Sequence, residues 1–314
     1  MTQTSTAPAE FPQETDPRGA FQRQVSRFRQ HVTTDGSSGF RAEPGRYHLY
    51  VSLACPWAHR TIIVRKLKGL EDVIGLTIVD PLRDHRGWAF SSDDPDPNQG
   101  FEFLEQAYLA TDPKFEGRVT VPVLWDTQRK VVVNNESSEI LRMLNSEFDE
   151  WGEGAVDFYP QALREEIDAL NDEIYRTVNN GVYRAGFATT QEAYEVAVSA
   201  LFGALERLEI RLGDRRYLTG PALTEADWRL FTTLIRFDAV YYSHFKCNLR
   251  RLIDFPNLWS YTCELYRHPG VAETVDFDHI KRHYFVTHRS INPTGIVPLG
   301  PVLEFDAPKR QCGT

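Results

Sequence analysis

Apolar and polar residues alternate from Tyr47 to Leu53: His48, Tyr50 and Ser52 alternate with Tyr47, Leu49, Val51 and Leu53. That two-residue period, rich in β-branched and aromatic side chains, predicts a strand. Pro56 then predicts a helix start, because proline suits the first helical position, where its missing N–H costs nothing. Ile62, Ile63 and Leu67 give this helix an apolar face to about Lys68, and Gly69 stops it. Residues 73–79 form a second apolar strand, so strand, helix and strand make a parallel βαβ unit. Val119-Thr120-Val121-Pro122-Val123-Leu124-Trp125-Asp126 is a further strand. Asp126 to Lys130 is a hairpin turn, and Val131-Val132-Val133 returns antiparallel. Asn134-Asn135-Glu136-Ser137-Ser138-Glu139 opens a helix carrying Ile140, Leu141, Met143 and Leu144, with Asn and Ser as its capping residues.

From about Tyr159 the period lengthens to that of a helix and stays so. Leu163, Ile167, Leu170 and Ile174 mark one helix, and Val196, Ala200, Leu201, Leu205, Leu208 and Leu212 another. Thr224 with an acid three residues on, flanked by Leu223 and Trp228, predicts a capped and stapled helix from Glu225 to about Tyr242. Asn257 to Arg267 gives one more, ended by His268-Pro269-Gly270. The expected fold class is therefore α/β plus all-α. The expected parts are an arm (1–40), an α/β domain (41–150) with an inserted loop at about 80–118, a helical domain (151–270) and an extension (271–314). The insertion holds Asp93-Asp94-Pro95-Asp96-Pro97-Asn98, too broken for regular structure and lacking the spacing of an EF-hand, and a short helix over Phe101 to Ala110. Arg86-Gly87-Trp88-Ala89-Phe90 at its start is expected to pack on the domain. The arm residues Arg23, Arg27, Arg29 and His31 are expected to be a solvated cover.

At 314 residues and 41% hydrophobic content the chain can bury one large core or two moderate ones. No apolar run reaches the length of a membrane span and no signal peptide is evident, so no membrane is expected. Cys55, Cys247, Cys263 and Cys312 lack metal-type spacing, which fits a reducing cytoplasm. A net charge of −9 argues against nucleic acid. His279 and His283 stand four apart, yet with no adjacent Glu and no third ligand evident no metal is expected.

Cys55 falls at the N-cap of the first helix, where exposed N–H groups and the helix dipole favour the thiolate. Three residues on stands Ala58, so no resolving thiol is at hand and an oxidised Cys55 must be reduced by an external small thiol. Val121-Pro122, downstream of such a cysteine, is where thioredoxin-like folds place a cis-proline that offers backbone groups to a peptide-like substrate. The helix start at Ser137 suits a carboxylate and Glu136 beside it an ammonium, together the head group of an amino acid.

In this order, Cys55-Pro56-Trp57-Ala58, Val121-Pro122, Glu136-Ser137 and a capping box in an all-helical domain resemble a glutathione transferase. The Cys-Pro-Trp-Ala-His-Arg, Asn-Asn-Glu-Ser-Ser-Glu-Ile and His-Arg-Ser-Ile-Asn-Pro strings resemble more narrowly the glutathionyl-hydroquinone reductases, the Xi class. The resemblance implies a thioredoxin-like domain, a helical domain and a homodimer. It implies that Cys55 attacks the sulfur of a glutathionyl-hydroquinone and that a second glutathione clears the mixed disulfide. By the same resemblance Trp88, Val121, Glu136 and Ser137 hold glutathione, and Tyr183, Tyr241 and Tyr284 form the aromatic acceptor site, Tyr183 and Tyr284 as proton donors. Periodicity does not separate Tyr241 from Tyr242. Two alternatives stand beside this reading. One is an omega-like thioltransferase, dehydroascorbate reductase or reductive dehalogenase on the same fold; the other is a binding protein in which Cys55 is inert.

Overall fold

The computed structural model describes residues 14–305, so Cys312 and the ends of the arm and extension lie outside the described residues. The chain divides into two compact units. One holds Arg23–Asp157 with Asp276–Val297, and the other Phe158–Val275 with 14–22 and 298–305.

The first unit is built on a five-stranded sheet: β1 (Tyr47–Val51), β2 (Gly75–Asp84), β3 (Gly87–Phe90), β4 (Val123–Asp126) and β5 (Val131–Asn134), in the order β3-β2-β1-β4-β5. β1 runs parallel to β2 across helix α1 (Pro56–Leu67), the expected βαβ unit. All of β1 is buried, so its alternation of residue types does not separate a wet face from a dry one. His48 is part of that interior. Its Nε2 and the Thr77 hydroxyl share a 2.7 Å hydrogen bond, and a Cβ on Gly75 would fall 2.3 Å from its ring. β4 pairs antiparallel with β1, and β5 with β4. Arg46 and Asp126 form a buried ion pair at 2.6 Å beneath the hairpin turn. Gly69, at φ +63°, ends α1 in the left-handed conformation that glycine adopts without strain.

Two sequence expectations change here. Residues 80–90 are not loop: β2 continues to Asp84 and turns back as β3, antiparallel, so Trp88 sits on an edge strand. Polar residues in β2 hide the strand period. The arm is not merely a solvated cover either. Gln30 N–H donates to the Val133 carbonyl and Asn135 N–H to that of Phe28, so the arm lies along β5 like an added strand. The remaining insertion carries α2 (Glu105–Thr111) and is tied down by carboxylates. Asp96 accepts hydrogen bonds from the Tyr50 hydroxyl (2.7 Å) and from the backbone N–H of Asn98, Gln99 and Phe101. Asp94 accepts from Ile78 N–H at 2.6 Å. Helix α3 (Ser137–Ser146) packs on α1.

The second unit holds α4 (Arg164–Ile174), α5 (Gly181–Gly186), α6 (Gln191–Asp214), α7 (Glu225–Arg236) and α8 (Pro256–Tyr266). Every residue of α7 is buried, and the expected capping box joins Thr224 to Asp227. Asp227 also accepts from Leu218 N–H (2.9 Å) and the Tyr261 hydroxyl (2.8 Å), while burial pushes its carboxyl above the ordinary range. Two helices end in π turns, Tyr175–Asn179 after α4 and Phe237–Tyr241 after α7. Asn179 bridges to α7, donating to the Arg229 carbonyl (2.9 Å) and the Thr233 hydroxyl (2.7 Å). A final helix, α9 (Phe277–Thr287), belongs to the first unit and packs along β2.

Candidate active site

The first unit brings Cys55 and Val121 together. Cys55 is the N-cap of α1, half-buried, with no side-chain hydrogen bond into the helix. Its Sγ lies 3.4 Å from the carbonyl oxygen of Val121, and the Val121-Pro122 peptide bond is cis. The turn leading to it is closed twice. Cys55 N–H donates to the Ser52 carbonyl (3.1 Å) and Ala54 N–H to the Ser52 hydroxyl (3.2 Å).

The start of α3 stands beside the start of α1. Arg60, fully buried in α1, donates from Nη1 to the Ser137 hydroxyl at 3.4 Å. His59 is buried as well. The cap of α3 is Glu136 itself rather than the Asn or Ser expected: its carboxylate accepts from Ser138 N–H (3.2 Å) and Oγ (2.9 Å). The neighbouring asparagines serve other partners. Asn134 Oδ1 accepts from Glu136 N–H (2.6 Å), and Asn135 Oδ1 from Phe28 N–H (3.0 Å). The start of α3 thus carries a half-buried carboxylate at Glu136, with the buried Arg60 guanidinium on the neighbouring Ser137 hydroxyl.

Sequence reasoning missed the arm's part in this site. Ser26 donates to the second oxygen of Glu136 at 2.9 Å, and the Arg23 guanidinium lies over the Trp57 ring at 4.0 Å. Arg27 and Arg29 pair instead with Asp112 and Glu139. Nothing in the local pattern singles out Ser26, because the contact spans 110 residues.

Trp88 on β3 is buried, and its ring stacks on His283 of α9 at 4.9 Å. His283 Nδ1 donates to the Pro81 carbonyl (2.7 Å), while His279 Nε2 shares a hydrogen bond with the Ser52 hydroxyl (3.2 Å). The two histidines thus serve the protein's own polar groups. Tyr284, also on α9, is buried against His283 and His288, at 5.3 and 5.5 Å between ring centres. In the second unit Tyr183 and Tyr241 meet each other at 6.0 Å, and both pack on Phe245. Tyr241 is fully buried and Tyr242 half-buried. Gly186 makes room for this group, since a Cβ there would fall 2.1 Å from the Phe245 ring.

Comparison with known proteins follows the same outline. Residues 54–147 match the glutathione S-transferase N-terminal domain and residues 191–262 the C-terminal domain. The chain is 56% identical over 300 residues to glutathionyl-hydroquinone reductase YqjG of Escherichia coli K12, covering 92% of each chain. It is 53% identical over 286 residues to glutathionyl-hydroquinone reductase PcpF of Sphingobium chlorophenolicum, covering 90% of each. The glutathione-bound structure of YqjG superposes with a TM-score of 0.88 at 54% identity, covering 90% of this chain and 96% of that one. The glutathione-S-transferase Xi of Phanerochaete chrysosporium gives 0.90 at 50% identity, covering 94% and 97%.

Proposed function

The chain belongs to the glutathione S-transferase family, in its Xi class, and on that footing we propose that it reduces glutathionyl-hydroquinones with glutathione. The observation that carries the mechanism is Cys55 at the start of α1 with its sulfur 3.4 Å from the Val121 carbonyl. In the first step the Cys55 thiolate attacks the sulfur of the conjugate. An S–S bond forms and the aryl C–S bond breaks. The electron pair left on the aryl carbon takes a proton, giving the free hydroquinone. A second glutathione thiolate then attacks the glutathione sulfur of the mixed disulfide, releasing glutathione disulfide and the Cys55 thiolate. Ala58 in place of a second cysteine supports this external resolution.

Class membership supports a role for each site residue in that sequence. The start of α3 with Ser137 receives the γ-glutamyl carboxylate, and Glu136 its ammonium. The Val121 backbone pairs with the cysteinyl peptide, and Trp88 walls the glutathione site. Tyr183, Tyr241 and Tyr284 serve the aryl group, where a ring gives stacking and a phenol a proton. Class membership supports a homodimer. Cys55, Cys247 and Cys263, thiols not joined in a disulfide among the described residues, support a reducing, cytoplasmic setting. Among the described residues no helix is long and apolar enough to cross a membrane.

The test is intact mass of the protein and of Cys55→Ser after brief exposure to a glutathionyl-hydroquinone, with the free products identified. The expected result is a glutathione adduct on the unsubstituted protein alone, with hydroquinone released. An adduct formed from glutathione disulfide but not from the conjugate would replace the proposal with a thioltransferase. No adduct from either would remove Cys55 from the chemistry.

A further inference from the structure

We propose that His279 is a positioning residue for Cys55, acting through Ser52. The proposal rests on Cys55 as the reacting thiol. Ser52 is fully buried, and its hydroxyl is shared between two partners: it accepts from Ala54 N–H at 3.2 Å and meets His279 Nε2 at 3.2 Å. Cys55 makes no side-chain hydrogen bond into its own helix. The turn from Ser52 to Cys55 is therefore fixed from within by Ser52, and Ser52 is fixed by a residue 227 positions away.

The helix that carries His279 is itself clamped. Asp276 caps it, accepting from His279 N–H at 2.8 Å. One turn on, His283 Nδ1 donates to the Pro81 carbonyl at 2.7 Å, and since a carbonyl only accepts, Nδ1 carries the proton. The same ring stacks on Trp88, and the Thr287 hydroxyl accepts from Arg83 N–H at 3.4 Å. So α9 grips β2 and β3 with one end and the thiol turn with the other. A hydrogen bond this far from the reacting atoms acts by geometry: a sulfur displaced by about 1 Å costs on the order of a hundredfold in rate.

The test uses the full chain with Ser52→Ala, His279→Phe, His279→Gln and the Ser52→Ala/His279→Phe double variant. Glutamine carries an amide near the place of Nε2 and can donate or accept, so it serves either histidine tautomer. Turnover of a glutathionyl-hydroquinone and the rate at which glutathione disulfide modifies Cys55, mapped by peptide mass, are both measured. The expected result is a loss of about tenfold in both rates for each of Ser52→Ala and His279→Phe, with KM for glutathione within about twofold. The double variant is no worse than the poorer single, and His279→Gln recovers most of the loss. Multiplicative losses in the double variant would overturn the proposal, as would His279→Gln no better than His279→Phe at equal melting temperature. If His279→Phe does not fold, Ser52→Ala at the full rate overturns it and a slowed Ser52→Ala with an active His279→Gln upholds it. A protein that is modified by glutathione disulfide but leaves the conjugate intact would defeat the proposed substrate alone. The modification rates would still decide the role of His279.

Discussion

Replacing His48 by Gln should remove part of the protein's sensitivity to acid. Desolvation in the interior pushes the His48 imidazole down from 6.5 to about 4, with Arg65 adding to the effect and Asp96 and Asp94 opposing it. The folded state therefore favours the neutral ring, while the unfolded chain protonates near the ordinary value. Where the folded value is depressed, the contribution to stability is complete above the unfolded value and is lost as pH falls toward the folded one. At about 1.36 kcal/mol per proton and pH unit, acidifying from about pH 7 to about pH 4.5 should cost about 2 kcal/mol through this one residue. Glutamine can keep the hydrogen bond to Thr77, which the ring makes at 2.7 Å, and cannot titrate. His244 in the second unit is also pushed down by burial to about 4, and its contribution is common to both proteins. Urea unfolding at the two pH values, followed by fluorescence and compared at equal m-value, gives the difference directly. The unsubstituted protein should lose about 2 kcal/mol more than His48→Gln over that range. An identical loss in both would show that His48 titrates in the folded protein much as in the unfolded one, and would refute the reasoning.

Two further substitutions probe the site and the second unit. Glu136→Gln keeps an oxygen for Ser138 but loses the charge proposed to meet the γ-glutamyl ammonium. KM for glutathione should rise about tenfold with kcat nearly unchanged, and an unaltered KM in steady-state kinetics would take Glu136 out of that role. Gly186→Ala places a methyl group 2.1 Å from the Phe245 ring. It should destabilise by about 1–3 kcal/mol, and an unchanged melting curve would mean that the ring moves aside at no cost.

The parts of this fold that could be read from the chain are those fixed by residues close in sequence. Pro56 and Gly69 bracket α1, and Thr224 with Asp227 opens α7, because capping and left-handed turns are settled within a few residues. The hairpin of β2 and β3 is hidden in the sequence because Pro81, Arg83 and Asp84 break the alternation that marks a half-buried strand. α9 is marked in the sequence by Asp276 as a cap and by Phe277, Ile280, Tyr284 and Phe285 at helical spacing, but His279 and His283 at the same spacing equally fit a pair of metal ligands. Ser26 at Glu136 and His279 at Ser52 were beyond reach, since each contact joins segments more than a hundred residues apart.

The two π turns give chain length a meaning of its own. Each holds one residue more than an α-helical turn of the same span, and an α-helix advances by about 100° per residue. Deleting Ala239 from Phe237–Tyr241 would restore a regular helix and swing the end of that helix through that angle. The Tyr241 ring would leave Tyr183, and Phe245 would lose its seat over Gly186. No substitution is involved, and every side chain in the cluster would still be present. Between Arg236 and Phe245, then, the number of residues decides which rings meet. A variant that gains or loses one within the π turn changes the partners of Tyr241 and Phe245, whatever its amino acids.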